Sequence, residues 1–201
     1  MTFKQITVRD PAPMLERTLR EWRAGASGTH GESGLWVFGY ASLIWRPEFD
    51  YTQKLPARVH GWHRALHMWS RVNRGSPECP GLVFALLRGG SCQGMAFHIA
   101  HGQVPTVLDQ LWAREMPTGV YDPRWLPCAT AQGPVRALAF TLSRSSPNFC
   151  GNLSDDQYAH IFKHAAGRYG TTLDYAQQTY QGLLQEGIND RALHDVLAKA
   201  K

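Results

Sequence analysis

LWVFGYASLIWRPE, residues 35–48, is an apolar strand that enters a turn of small residues and leaves it through Trp-Arg-Pro. A strand ending in Gly39-Tyr40-Ala41-Ser42-Leu43 presents several consecutive backbone N–H groups with little side-chain bulk around them. Chains cradle a carboxylate or a developing oxyanion in this way. The stretch therefore predicts both the first strand of a sheet and an anion-binding loop directly after it.

Outward from this stretch, residues 35–142 continue as short β-type segments punctuated by Gly and Pro. They are Leu35–Tyr40, Ala57–Trp69, Gly81–Leu87, Gln93–Ile99, Arg124–Thr130 and Val135–Leu142. Arg88-Gly89-Gly90-Ser91 reads as a hairpin turn, since glycine supplies the positive φ such turns need. Short strands without regular βαβ alternation predict a closed or nearly closed barrel in an α+β protein. A helix is expected over Gln103–Met116, stopped by Pro117. The C-terminal quarter reads as helices: a capping box at Ser154-Asp155-Asp156-Gln157, a second helix over Thr172–Gln185, and a third with Asn189 as its N-cap. Residues 1–34 read as an arm, a helix over Pro13–Ala24 followed by the linker AGASGTHGESG, and residues 35–201 as the main domain.

Composition narrows the function classes. The 201 residues are 43% hydrophobic and 18% charged, which is ordinary globular usage. No apolar run approaches the roughly 20 residues of a membrane span, and MTFKQITVRDPAP has no signal-peptide core, so a cytoplasmic protein is expected. Cys79, Cys92, Cys128 and Cys150 form no CxxC pair and are read as reduced thiols. The net charge of +5 is spread along the chain, which favours attraction for small anions over nucleic acid. GxSxG, GxxxxGK[ST] and HExxH are absent. His60, His63 and His67 would not share one face of a strand, so no metal site is expected.

What remains is the N–H loop and one acidic residue. On the helix over 103–116 the apolar face is Val104, Leu108 and Leu111, and the next position on it is Glu115. Two readings of an inward carboxylate stand side by side: an ion pair with Arg114 or another arginine, or a general base whose pKa is raised by burial.

FGYASLIWRP, then RVNRGSPECPGLVFALLRGGSCQGMAFHI, then LWAREM and a late HAAGRYGTTLDY together resemble the ChaC family of γ-glutamylcyclotransferases, which act on glutathione. The match runs in order over about residues 35–190. The resemblance implies a mixed β-barrel flanked by helices, a substrate loop at Tyr40, Ala41, Ser42 and Leu43, and Glu115 as catalytic residue. It implies cleavage of a γ-glutamyl amide by its own α-amine, with no cofactor. Arg71 and Arg74, beside the turn at Gly75-Ser76-Pro77, are candidates for a substrate carboxylate. Trp45 and Arg46 are expected to buttress the loop, and Tyr121 is a candidate pocket residue. The chain departs from the family pattern at Ala41, where glycine is usual, and at Phe149, where many relatives carry tyrosine. Two other functions fit these residues: a cyclotransferase for other γ-glutamyl amines or amides, and a non-catalytic binder of γ-glutamyl peptides.

Overall fold

The computed structural model describes residues 8–26 and 34–200. Strands β1 (Leu35–Gly39), β2 (Gln53–Ser70), β3 (Gly81–Ile99), β4 (Asp122–Thr130) and β5 (Gly133–Thr141) close into a barrel in the order β1-β3-β2-β4-β5. The seam is made by β5, which runs parallel to β1 at Trp36↔Ala137 and Val37↔Leu138 and meets β3 at Leu86↔Thr141. Closure leaves no long open edge. Phe38, Phe97, Leu86 and Leu138 are buried at the centre of one core. The α+β barrel is the expected fold class.

One expected turn is absent. The chain does not reverse at Arg88–Ser91 but continues through it as a single strand, β3, paired with β2 on both sides. The register passes from His60↔Ser91 to Trp62↔Arg88, so Gly61 of β2 faces Gly89 and Gly90 of β3. All three have positive φ, at 78°, 105° and 68°. The glycines bend two long strands together as a bulge. The reversal lies instead in residues 71–80, between β2 and β3.

Helices surround the barrel: α1 (Ala12–Ala26), the single turn α2 (Ser42–Trp45), α3 (Val104–Glu115), α4 (Asp155–His164), α5 (Thr172–Gln185) and α6 (Arg191–Leu197). A two-stranded ribbon, β6 (Ala166–Gly167) with β7 (Gly170–Thr171), leads into α5. Pro105 sits in the first turn of α3, where its missing N–H removes no helical bond. The capping box of α4 is complete, with both Ser154 and Gln157 making their bonds. Asp190 caps α6 in place of the expected Asn189, accepting from the Leu193 N–H at 2.9 Å. Helix α1 is tied to the barrel by the Trp125 indole of β4, which donates to Glu21 at 2.8 Å, and Pro11 just before it is tied to α3 by the Trp112 indole, which donates to its carbonyl at 3.0 Å. Residues 27–33, most of the expected linker, fall outside the described residues. Among the described residues no helix is long and apolar enough to cross a membrane.

Candidate active site

The small-residue turn after β1 is the start of a one-turn helix. Ala41 O accepts from Ile44 N at 2.9 Å and Ser42 O from Arg46 N at 2.8 Å. Ser42 and Leu43 are therefore the first residues of the turn, and their N–H groups have no carbonyl within it to bond. Ala41 adopts φ −143°, a value open to any L-residue, so the missing glycine brings no left-handed strain.

Three elements hold this turn. Trp45 packs over Gly182 of α5 and donates to Thr179 Oγ1 at 3.2 Å. Arg46 bonds Glu48 at 2.7 Å. Beneath the turn, Arg64 Nη1 donates to the carbonyl of Tyr40 at 2.6 Å, while the Tyr40 hydroxyl donates to Phe140 O at 2.9 Å. The buttressing expected of Trp45 and Arg46 is present, and Arg64 joins it.

Glu115, the last residue of α3, faces the same pocket as Tyr40, Ala41, Ser42 and Leu43. Its side chain is 17% exposed and its Oε1 lies 3.0 Å from Arg114 Nε. The expected ion pair with Arg114 is present, and the same carboxylate lines the pocket. Burial pushes the Glu115 carboxyl above its ordinary value, the neighbouring Arg114 guanidinium pulls it back, and Glu48 adds a smaller upward push. Arg114 is itself tethered, donating through Nη1 to Glu48 at 2.9 Å and to Pro47 O at 3.1 Å.

Three tyrosine rings complete the inner pocket. Tyr121 OH donates to Phe84 O at 3.2 Å, and the Phe84 N–H reaches Tyr175 OH at 3.4 Å. Burial raises the pKa of Tyr40, Tyr121 and Tyr175, with the charge of Glu115 adding to it, so all three stay protonated at neutral pH. Tyr175 accepts the Phe84 N–H and so keeps its own proton to donate.

From Ser42, Glu115, Tyr121 and Tyr175 the pocket opens into a cleft of about 720 Å³. Arginines dispersed in the sequence gather there: Arg46, Arg71, Arg74, Arg114 and Arg168. Arg74 is 7% exposed, lies 4.9 Å over the Tyr175 ring and donates to Tyr169 O. Arg71 Nη1 donates to Asn148 Oδ1 at 3.3 Å. Both line the outer cleft rather than the inner pocket. Asn148, Arg168, Tyr169 and Tyr175 were not singled out from the sequence, although the last three sit within or beside the late GRYGTTLDY run. Phe149 does not line the cleft; it bridges to Met68 and its ring lies 6.0 Å from that of His67. The departure at Phe149 therefore removes no group from the cleft wall, where Asn148 is the residue contributed by this segment.

Residues 35–201 match the model of the ChaC-like protein family. The glutathione-specific gamma-glutamylcyclotransferase of Escherichia coli (strain K12) is 32% identical over 171 residues, covering 85% of this chain and 74% of the relative. Glutathione-specific gamma-glutamylcyclotransferase 1 of Danio rerio is 32% identical over 150 residues, covering 72% and 76%. Among solved structures, a γ-glutamyl cyclotransferase specific to glutathione from yeast superposes with a TM-score of 0.76 at 21% identity, over 84% of this chain and 96% of that one.

Proposed function

The chain belongs to the ChaC-like family, and from that membership we propose that it is a glutathione-specific γ-glutamylcyclotransferase with Glu115 as its acid–base residue. The observation that carries the assignment of roles is the shared pocket: a mostly buried carboxylate faces the first residues of a helical turn, whose N–H groups have no partner within that turn.

The γ-glutamyl moiety enters the inner pocket and the rest of the peptide extends along the arginine-lined cleft. Glu115 takes a proton from the α-ammonium, freeing the amine. The amine nitrogen attacks the γ-carbonyl carbon and closes a five-membered ring, a step for which the enzyme mainly has to hold a near-attack conformer. Negative charge on the carbonyl oxygen is met by N–H groups of Ser42 and Leu43. Glu115 then returns the proton to the amide nitrogen as the carbonyl re-forms and the C–N bond breaks, and the second proton of the ring nitrogen passes to the departing amine, giving 5-oxoproline and Cys-Gly with its terminal ammonium. Atoms and charge balance within the substrate, so the reaction needs no cofactor or co-reactant. Arg71 and Arg74 are assigned to the carboxylate of the leaving dipeptide, by charge-assisted hydrogen bonds.

The four cysteines are free thiols, and burial pushes Cys128 and Cys150 up to about 12. Thiols held so high are poor nucleophiles, so neither is assigned a part in catalysis.

Incubation of purified protein with glutathione, with chromatographic detection of both products, tests the reaction; no 5-oxoproline across glutathione and a panel of γ-glutamyl amino acids overturns it. The carboxyl pKa adds a pH test. A base raised by burial gives an acid limb of kcat/KM above the ordinary value of 4.5. Arg114 favours the ionised form, so Arg114→Gln is expected to move that limb to higher pH. A limb that stays in place or moves down would remove Glu115 from the role of base.

A further inference from the structure

Glu115 and Tyr121, two of the groups that line the inner pocket, are joined by only the short connection between α3 and β4. That connection has no regular structure of its own, and its carbonyls from Thr118 to Tyr121 are taken up by a single residue of the N-terminal arm. The Arg9 N–H donates to Thr118 O at 3.0 Å, its Nε to Gly119 O at 2.6 Å, and its Nη2 to Val120 O at 3.1 Å and Tyr121 O at 2.8 Å. Its Nη1 pairs with Asp122 at 2.8 Å. The fit extends to the backbone: Gly119 has φ +60°, and a Cβ there would lie 2.5 Å from Arg9 O. The arm is in turn fastened to α3, through the Trp112 indole and Pro11 O. The match to the family model begins at residue 35 and does not reach this arm.

We propose that Arg9 is a positioning residue of the active site, clamping the Thr118–Tyr121 carbonyls and so fixing Tyr121 relative to Glu115. The inference rests on the reading of Glu115 as the acid–base group. Arg9 is not itself among the residues that line the pocket or the cleft; it acts from behind, by removing the freedom of the segment that spans the two pocket groups. A guanidinium suits this task because its planar fork carries five N–H donors in fixed directions, against three on an ammonium and two on an amide. Acid–base geometry is sensitive to displacements of about 1 Å, at a cost of up to about 10² in rate.

The test compares wild type, Arg9→Gln and Arg9→Lys on glutathione. Arg9→Gln is expected to lower kcat by about tenfold with KM changed less than about twofold, because the cleft arginines lie on other segments. Arg9→Lys is expected to recover only part of the loss. Hydrogen exchange at the amides of residues 118–122 is expected to quicken in Arg9→Gln while the barrel amides keep their protection. Wild-type kcat in Arg9→Gln overturns the proposal, as does a loss of kcat that only parallels a loss of folded protein in thermal melts. Should wild type itself release no 5-oxoproline, the proposed reaction fails; exchange at residues 118–122 then decides the clamp separately, and unchanged rates in Arg9→Gln overturn it.

Discussion

Glu115→Gln is expected to lower 5-oxoproline formation from glutathione by at least about 10²-fold, and by up to about 10⁴-fold, the range supplied by a positioned acid–base group. The amide keeps the shape of the carboxylate but neither accepts the proton of the α-ammonium nor returns one to the leaving nitrogen. Affinity for an unreactive γ-glutamyl analogue is expected to change much less. Stability separates this result from unfolding. Burial raises the Glu115 pKa above its unfolded value, so the folded state holds the proton more tightly and the group's contribution to stability falls as pH rises from 4.5 through the folded pKa. At neutral pH the ionised form is therefore a net burden, and Glu115→Gln is expected to melt no lower than wild type. A variant with wild-type turnover would sink the assignment of Glu115; one that melts far lower at pH 7 would mean that the Arg114 pair outweighs desolvation.

Arg64→Met is expected to destabilise the protein by about 3–5 kcal/mol, which for a chain of this size is a fall in melting temperature of about 10 °C. The Arg64 side chain is 3% exposed and pairs with Asp190, Nε to Oδ2 at 3.0 Å, while its Nη1 serves Tyr40 O at 2.6 Å and Gln93 O at 3.1 Å. Methionine fills the volume but leaves the Asp190 carboxylate with only its cap to α6 and leaves two carbonyls without this donor. Arg64→Met/Asp190→Asn is expected to recover part of the loss, because the orphaned charge is gone and asparagine still caps. The surviving folded fraction is expected to turn over more slowly, since Tyr40 O anchors the turn that presents Ser42 and Leu43. A melting temperature within a degree or two of wild type would show that the ion pair contributes little beyond its desolvation.

The candidate site was legible where its residues follow the local period of one element. Val104, Leu108 and Leu111 mark one face of α3, and that period alone carries Glu115 inward. The turn at residues 39–43 was legible because bulk disappears directly after an apolar strand. Gly89-Gly90 misled for a physical reason: positive φ serves a reversal and a bulge equally, and what separates them is the partner strand. Here Gly61 lies opposite, and β2 is long enough to continue the ladder past the bend. Tyr175, Asn148 and Arg168 carry no local signature of a site, because each becomes a wall of the cleft only when distant segments meet. Ala41 was open for a related reason, since its residue type constrains φ without choosing it.

By itself the sequence determined the barrel with its helices, the anion-cradling turn after β1 and the inward carboxylate at Glu115, since these follow from side-chain period and backbone bulk within single segments. The tertiary structure alone decided that five arginines share one cleft, that Arg64 holds the turn from beneath, and that Arg9 takes the carbonyls of a segment more than a hundred residues away. A guanidinium selects its acceptors by where the backbone brings them, and that placement is a property of the closed barrel rather than of any stretch of chain.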